Sequence, residues 1–264
     1  MNHRACIAFA LLLHPLGILY GQGQLIRKVE LSGVRHVTVD RAGGFYAITP
    51  AGIHKYDGDG EETRQLQTPS PATLFDPGNG VRLLAYFRDL QAYSIYPPNL
   101  DARPHMKLDP SFAIDPWLVC SSGDYNLVIL DAADWSIKVV DTRNSVVDYE
   151  FRLDSALREN PHFVFMREYQ GFLFLLDGRT GITIFNRLGM KLRTLAVAGL
   201  QSFNFLGQEL YYCKDGKIHF TDLFTLQSRI ELTDHPCLEL ALGDGRCLVL
   251  SPDSSGLAFF SYSP

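Results

Sequence analysis

A run that begins "GITIF" at Gly181 repeats in outline a run that begins "GIHKY" at Gly52. Each opens Gly-Ile, passes through a short strand-like segment to an aromatic with Asp or Asn, turns at a Gly, and ends in a charged, alternating stretch. Self-similarity of this kind constrains architecture more than any local motif, because each unit must be one supersecondary element that buries its apolar face against the next. Six units follow one another, starting near residues 36, 72, 117, 162, 202 and 238, which sets the starts 36 to 45 residues apart. Each divides into four segments, A to D. In the fourth unit they read "HFVFMR", "GFLFLL", "GITIFN" and "MKLRTLAV". Aromatic and β-branched residues fill the segments and Gly, Asp and Asn divide them, which is the chemistry of short strands joined by tight turns.

Segments A, B and much of C are apolar throughout, as strands buried on both faces must be. Segment D alternates apolar residues with Lys, Arg and Glu ("RQLQ", "YEFRL", "KLRTL", "SRIEL"), which suits an outer edge where charge blocks pairing with another sheet. The sixth unit lacks a D segment, and "QLIRKVELSG", Gln24 to Gly33, precedes the first A segment with the right alternation to supply it. The expectation is an all-β chain: a six-bladed β-propeller, four antiparallel strands per blade, whose last blade is closed by the N-terminal strand near "GLAFFSYS".

The first residues are of another kind. "MNHR" carries positive charge, "ACIAFALLLHPLGILY" is apolar, and "GQGQ" offers small residues for cleavage after Gly21 or Gly23. This is the three-part pattern of a secretory signal peptide. The apolar run has 16 residues, interrupted by His14 and Pro15, and falls short of the ~20 that a membrane span needs. Residues 1–23 are therefore expected to be a removed signal and 24–264 the propeller, with no integral membrane segment after removal. Cys6 lies inside the apolar run, which argues against lipidation. The remaining cysteines, Cys120, Cys213, Cys237 and Cys247, sit in or beside apolar strands with no zinc-type spacing, and the reading is buried free thiols. A formal net charge of −5 gives no support to a nucleic-acid partner.

In this organisation the chain resembles the six-bladed propeller superfamily, in particular exported propellers of the NHL and related types. It has neither the Gly-His/Trp-Asp pair of WD repeats, nor the quinoprotein blade motif, nor the kelch double glycine. The resemblance implies a fold and transfers no catalytic residue.

Several side chains are candidates for function. Asp89, Asp131, Asp177, Asp215 and Asp253 each follow segment B, where an Asp more readily starts a turn than joins a ring of cation ligands. His36 and His162 open segment A in opposite units, and His235 precedes unit six; all three are placed at the mouth of the central channel. The A segments show Asn204 and Glu239 as their clearest polar residues, and no G-x-S-x-G, H-E-x-x-H or P-loop occurs. No catalytic residue, metal ligand or cofactor is assigned. The connectors "DPSFAIDP" and "DSALRENP", before units three and four, are longer than their counterparts, and the second has room for one helical turn. Phe112, Ile114, Trp117, Leu157 and Arg158 on or beside them are the residue types enriched in interfaces. The expected function is a non-enzymatic protein-binding or scaffold module, exported to the periplasm, cell surface or beyond, and a subunit of an envelope-associated complex. The alternative is a metal-dependent hydrolase or lyase with its site in the channel.

Overall fold

The computed structural model describes residues 22–263 apart from 79, 124, 234, 254 and 255, so the apolar stretch read as a signal lies outside the described residues. Six four-stranded antiparallel sheets are arranged as blades of a ring. Blade one comprises His36–Val39, Phe45–Thr49, Gly52–Tyr56 and Glu62–Gln67. Blade two has Leu74–Asp76, Leu83–Phe87, Ala92–Tyr96 and the two-residue Met106–Lys107. Pro116–Ser122, Asn126–Asp131, Ser136–Asp141 and Val146–Arg152 form blade three. Blade four follows with Phe163–Tyr169, Phe172–Asp177, Gly181–Phe185 and Lys191–Leu195. Asn204–Leu206, Glu209–Lys214, Lys217–Asp222 and Ser228–Leu232 make blade five. Blade six contains Glu239–Gly243, Arg246–Leu250 and Gly256–Tyr262.

The fourth strand of blade six is Gln22–Glu30, paired antiparallel to Gly256–Tyr262 with Lys28 opposite Ala258 and Val29 opposite Leu257. The ring is therefore closed by the first strand of the described chain. Helical structure is limited among the described residues to a 3-10 turn, Arg88–Leu90, and one helical turn, Ser155–Arg158, in the connector before blade four.

Because consecutive strands run antiparallel, the A–B and C–D turns emerge on one face of the disc and the B–C turns and D–A connectors on the other. Blades pack through aromatic and aliphatic side chains; Phe174, Phe185, Phe203, Phe220, Phe259 and Tyr211 are each within 2% of complete burial. Each such side chain contributes roughly 1.5–3 kcal/mol by leaving water.

The repeated Gly-Ile that opens strand C has a steric cause. A Cβ on Gly52 would lie 2.0 Å from the carbonyl oxygen of Leu66, and one on Gly181, where φ is +116°, 2.0 Å from that of Leu195. In both blades strand D crosses the start of strand C so closely that only glycine fits.

The outer strands leave some of their apolar residues uncovered: Val146 and Tyr149 on blade three, Leu192 on blade four and Ile230 on blade five are exposed. One expectation needs correction: Cys213 and Cys237 form a disulfide, while Cys120 and Cys247 are buried and form no disulfide. Cys213 lies near the end of strand B of blade five and Cys237 on the connector into blade six. Both are on the B–C and D–A face, and their Cα atoms are 6.8 Å apart. Neighbouring residues in sequence signal that a cysteine is buried, but the pairing follows from the connector crossing that face.

Candidate functional site

The axis of the disc is filled by polar side chains from all six A strands. Asp76 at the end of strand A of blade two accepts from the backbone N–H of Gly78 at 3.0 Å and from Ser121 of blade three, whose hydroxyl is 2.5 Å away. Arg167 of blade four places its Nε 3.4 Å from Asp76 and donates through Nη1 to Asn204 of blade five at 2.7 Å. The same Asn204 oxygen accepts from the Thr38 hydroxyl of blade one at 3.0 Å. His36 Nδ1 lies 2.8 Å from Glu239 of blade six, and Glu239 also accepts the Val37 N–H at 2.6 Å.

Asp76 and Arg167 are 2% and 8% exposed at their side chains, so this is a buried ion pair whose remaining valences are met by hydrogen bonds. Sequence spacing offered His36 no acidic partner; the fold brings one from the neighbouring blade. The ring of His36 also lies 5.3 Å from that of Phe165 across the axis, so the channel is occupied by side chains at this level.

Beside this plug, on the face of the A–B and C–D turns, a cleft of about 690 Å³ runs outward over blades two, three and four. It shares Arg41, Gly78, Arg167 and Tyr169 with a second hollow of about 460 Å³ over blades five, six and one. Arg41, Arg82, Arg143 and Arg187 line the first cleft with Tyr125, Tyr149 and Tyr169. The guanidinium of Arg143 lies 3.7 Å from the centre of the Tyr125 ring, that of Arg82 4.9 Å from it, and that of Arg41 5.4 Å from the Tyr169 ring.

Among the carboxylates of the cleft, Glu168 is distinctive. Burial pushes its pKa up, against the opposing N–H of Gly171 at 2.7 Å and the charge of Arg187. Arg167 and Asp76 were invisible as site residues in the sequence, where "FVFMREY" reads as an apolar strand and the Asp of "LFD" as a turn residue. The available signal was alternation: Arg167 holds the same side of its strand as Phe165, opposite Phe174 and Leu176.

The residues singled out from sequence are distributed as follows. Ile114 is 76% exposed and Arg158 is also exposed. Phe112, Trp117 and Leu157 are half-buried against the largest core cluster. Trp117 donates its indole N–H to the Phe163 carbonyl at 2.9 Å and meets Arg88, 3.7 Å from its ring centre, so it ties blade three to blade four. His162 is exposed, with its backbone N–H held by Asp177 at 2.7 Å, and His235 is exposed and stacked on Phe260 at 4.6 Å. The three histidines thus have three separate settings.

Asp131 and Asp177 do more than start turns. Asp131 accepts the N–H groups of Ile114, Asp115 and Ala133 and pairs with Lys138, and Asp177 accepts those of His162, Arg179 and Thr180. Burial works to raise both pKa values, but these hydrogen bonds outweigh it and hold the carboxyls below their usual range. Each therefore clamps a D–A connector onto its own blade. Among the described residues no three His, Cys, Asp or Glu side chains gather as a cation site.

Neither a family model nor a curated protein matches the sequence. Solved structures do match in shape. The chain is similar to one in a crystal structure of the mitotic checkpoint complex, with 11% identity over 97% of this chain and 100% of that one and a TM-score of 0.61. It is also similar to the Pan2 WD40 domain of Neurospora crassa, with 9% identity over 95% and 98% and a TM-score of 0.58. Streptogramin B lyase gives 11% identity over 90% and 87% and a TM-score of 0.57. At such identities the likeness establishes the propeller fold.

Proposed function

We propose that the protein is an exported binding or scaffold module with no catalytic role, recognising a protein partner on the faces of its disc. The observation that carries this reading is the occupied axis. The polar groups nearest the centre, where a channel enzyme would hold its catalytic carboxylates or metal ligands, are engaged with one another from blade to blade. What remains for recognition is the surface. The connectors before blades three and four present Ile114 and Arg158 to solvent, held in place by Asp131 and Asp177. The Cys213–Cys237 disulfide supports export, since such bonds persist in oxidising compartments.

The purified protein, cross-linked in its native envelope, is expected to retain a partner at fixed stoichiometry. Ile114→Ala with Arg158→Ala should weaken that capture about tenfold, as for anchors at an interface centre, with the melting temperature unchanged. Trp117→Ala serves as the contrast, since it should lower the melting temperature whatever it does to capture. A second reading, a channel hydrolase or lyase, draws on the His36–Glu239 pair and on Nε2 of His36, which is buried without a hydrogen-bond partner among the described residues. A stoichiometric, tightly held metal ion in the purified protein would favour that reading and overturn ours.

A further inference from the structure

Four arginines gather in the cleft, and unlike several others on the surface they are not ion-paired among the described residues. Arg27, Arg64, Arg152, Arg229 and Arg246 each face a carboxylate within 4.0 Å. Arg41, Arg82, Arg143 and Arg187 form no ion pair among the described residues, although they come from four different blades and line one cleft. Arg41, Arg82 and Arg143 lie over tyrosine faces, which orient a guanidinium and leave its N–H groups available.

The acidic side chains of the cleft are held by the protein itself. Asp76 pairs with Arg167. Asp141 accepts the backbone N–H groups of Arg143 and Asn144, at 2.7 and 3.0 Å, and the Asn144 amide. Asp148 accepts from the Asn126 amide at 3.3 Å, and Glu168 accepts the Gly171 N–H at 2.7 Å. On a chain whose net charge is −5, the cleft thus gathers four guanidiniums that no carboxylate meets in an ion pair among the described residues.

We propose that the cleft over blades two to four binds an acidic segment of a partner protein. This rests on the reading of the protein as a binding module, and it adds a site on the opposite face from the connectors. Three observations select a peptide over a single small oxyanion. The guanidiniums are distributed along the A–B turns of blades one and two and the C–D turns of blades three and four, so several carboxylates are needed to meet them. The cleft continues into a second hollow, which makes an elongated track. The turn that follows its lining residues Asn186 and Arg187 is apolar and exposed: Leu188 is 85% exposed and Met190 59%. Arg with exposed apolar and aromatic side chains is the composition of a protein interface, and a cleft of this volume falls within the ~300–1,000 Å³ of ligand sites generally.

The test uses fluorescein-labelled hexaglutamate as the probe, followed by anisotropy on the full chain. Binding is expected to weaken as salt rises and to fall about tenfold in the Arg143→Ala/Arg187→Ala double variant. Arg64→Ala, on the outer strand of blade one, and Ile114→Ala, on the connector face, should leave it unchanged. An unaltered affinity in the double variant, equal binding of labelled hexaglutamine, or complete competition by equimolar pyrophosphate would each overturn the proposal. Such a result would not touch the connector reading, which is judged by partner capture through Ile114 and Arg158. Melting curves of the double variant exclude loss of fold as the cause.

Discussion

Replacing Arg167 by Met is the sharpest probe of what holds the ring together. The substitution keeps the length of the aliphatic stem and removes the cation. Asp76 would keep its hydrogen bonds to Gly78 and Ser121 but stand 2% exposed with no counter-charge, and Asn204 would lose its donor from blade four. Breaking a buried ion pair from one side costs about 3–5 kcal/mol. For a domain of this size each kcal/mol lowers the melting temperature by roughly 2–4 °C, so the variant should melt about 6–20 °C below the parent. Adding Asp76→Asn removes the stranded charge, and the double variant should recover part of the loss, with a coupling of about 0.5–3 kcal/mol. Urea unfolding of the parent, both single variants and the double variant, followed by tryptophan fluorescence, measures the cycle. A loss below about 1 kcal/mol for Arg167→Met, or strict additivity in the double variant, would refute the claim that the pair acts as a charged unit at the axis.

Three other perturbations address separate features. Deleting Gln24 to Leu31 removes the strand opposite Gly256–Tyr262 and should destabilise the whole ring; a cooperative melt at the parent temperature would contradict closure there. Gly181→Ala puts a methyl group against the Leu195 carbonyl at a φ of +116° and should cost about 1–3 kcal/mol in urea unfolding, whereas Gly199→Ala, with open space around it, tests the φ contribution alone. Glu168 has a raised pKa in the folded state and ionises near ~4.3 when unfolded. Between those two values the native protein binds more protons, so stability falls as pH rises through the window. Glu168→Gln should flatten that slope and gain on the parent at neutral pH; a loss at every pH would show that the Gly171 hydrogen bond dominates.

Much of the fold was legible because period and polarity are properties of consecutive residues. Six starts at blade spacing, apolar inner strands and an unassigned "LIRKVEL" were enough to imply a closed ring. The Gly-Ile that drew attention to the repeat proved to mark a backbone crossing at Leu66 and Leu195. The site was less legible because its members meet only through topology. Asp76, Ser121, Arg167 and Asn204 lie on four strands and converge at the axis, and only its alternation with Phe165 distinguishes Arg167 in sequence from a surface arginine. The same holds for Cys213 and Cys237, each of which reads locally as a buried thiol. It holds again for the four arginines of the cleft, which occupy unrelated turns and share a surface only once the blades are in place.

The strand that closes blade six also orders events in time. Lys28 pairs with Ala258, 230 residues later in the chain. At roughly 5–20 residues per second of synthesis, the first strand is made on the order of 10–50 seconds before its partner exists. Throughout that interval five blades can collapse in succession, while Gly256–Tyr262, once made, presents an open edge until Gln22–Glu30 returns to cover it. Final closure is thus a long-range docking step between the two extremities, and it is the step at which two nascent copies could exchange their first strands. A bulky group fused beside Gln22, whose partner is Tyr262, would act on this step more than on the finished ring.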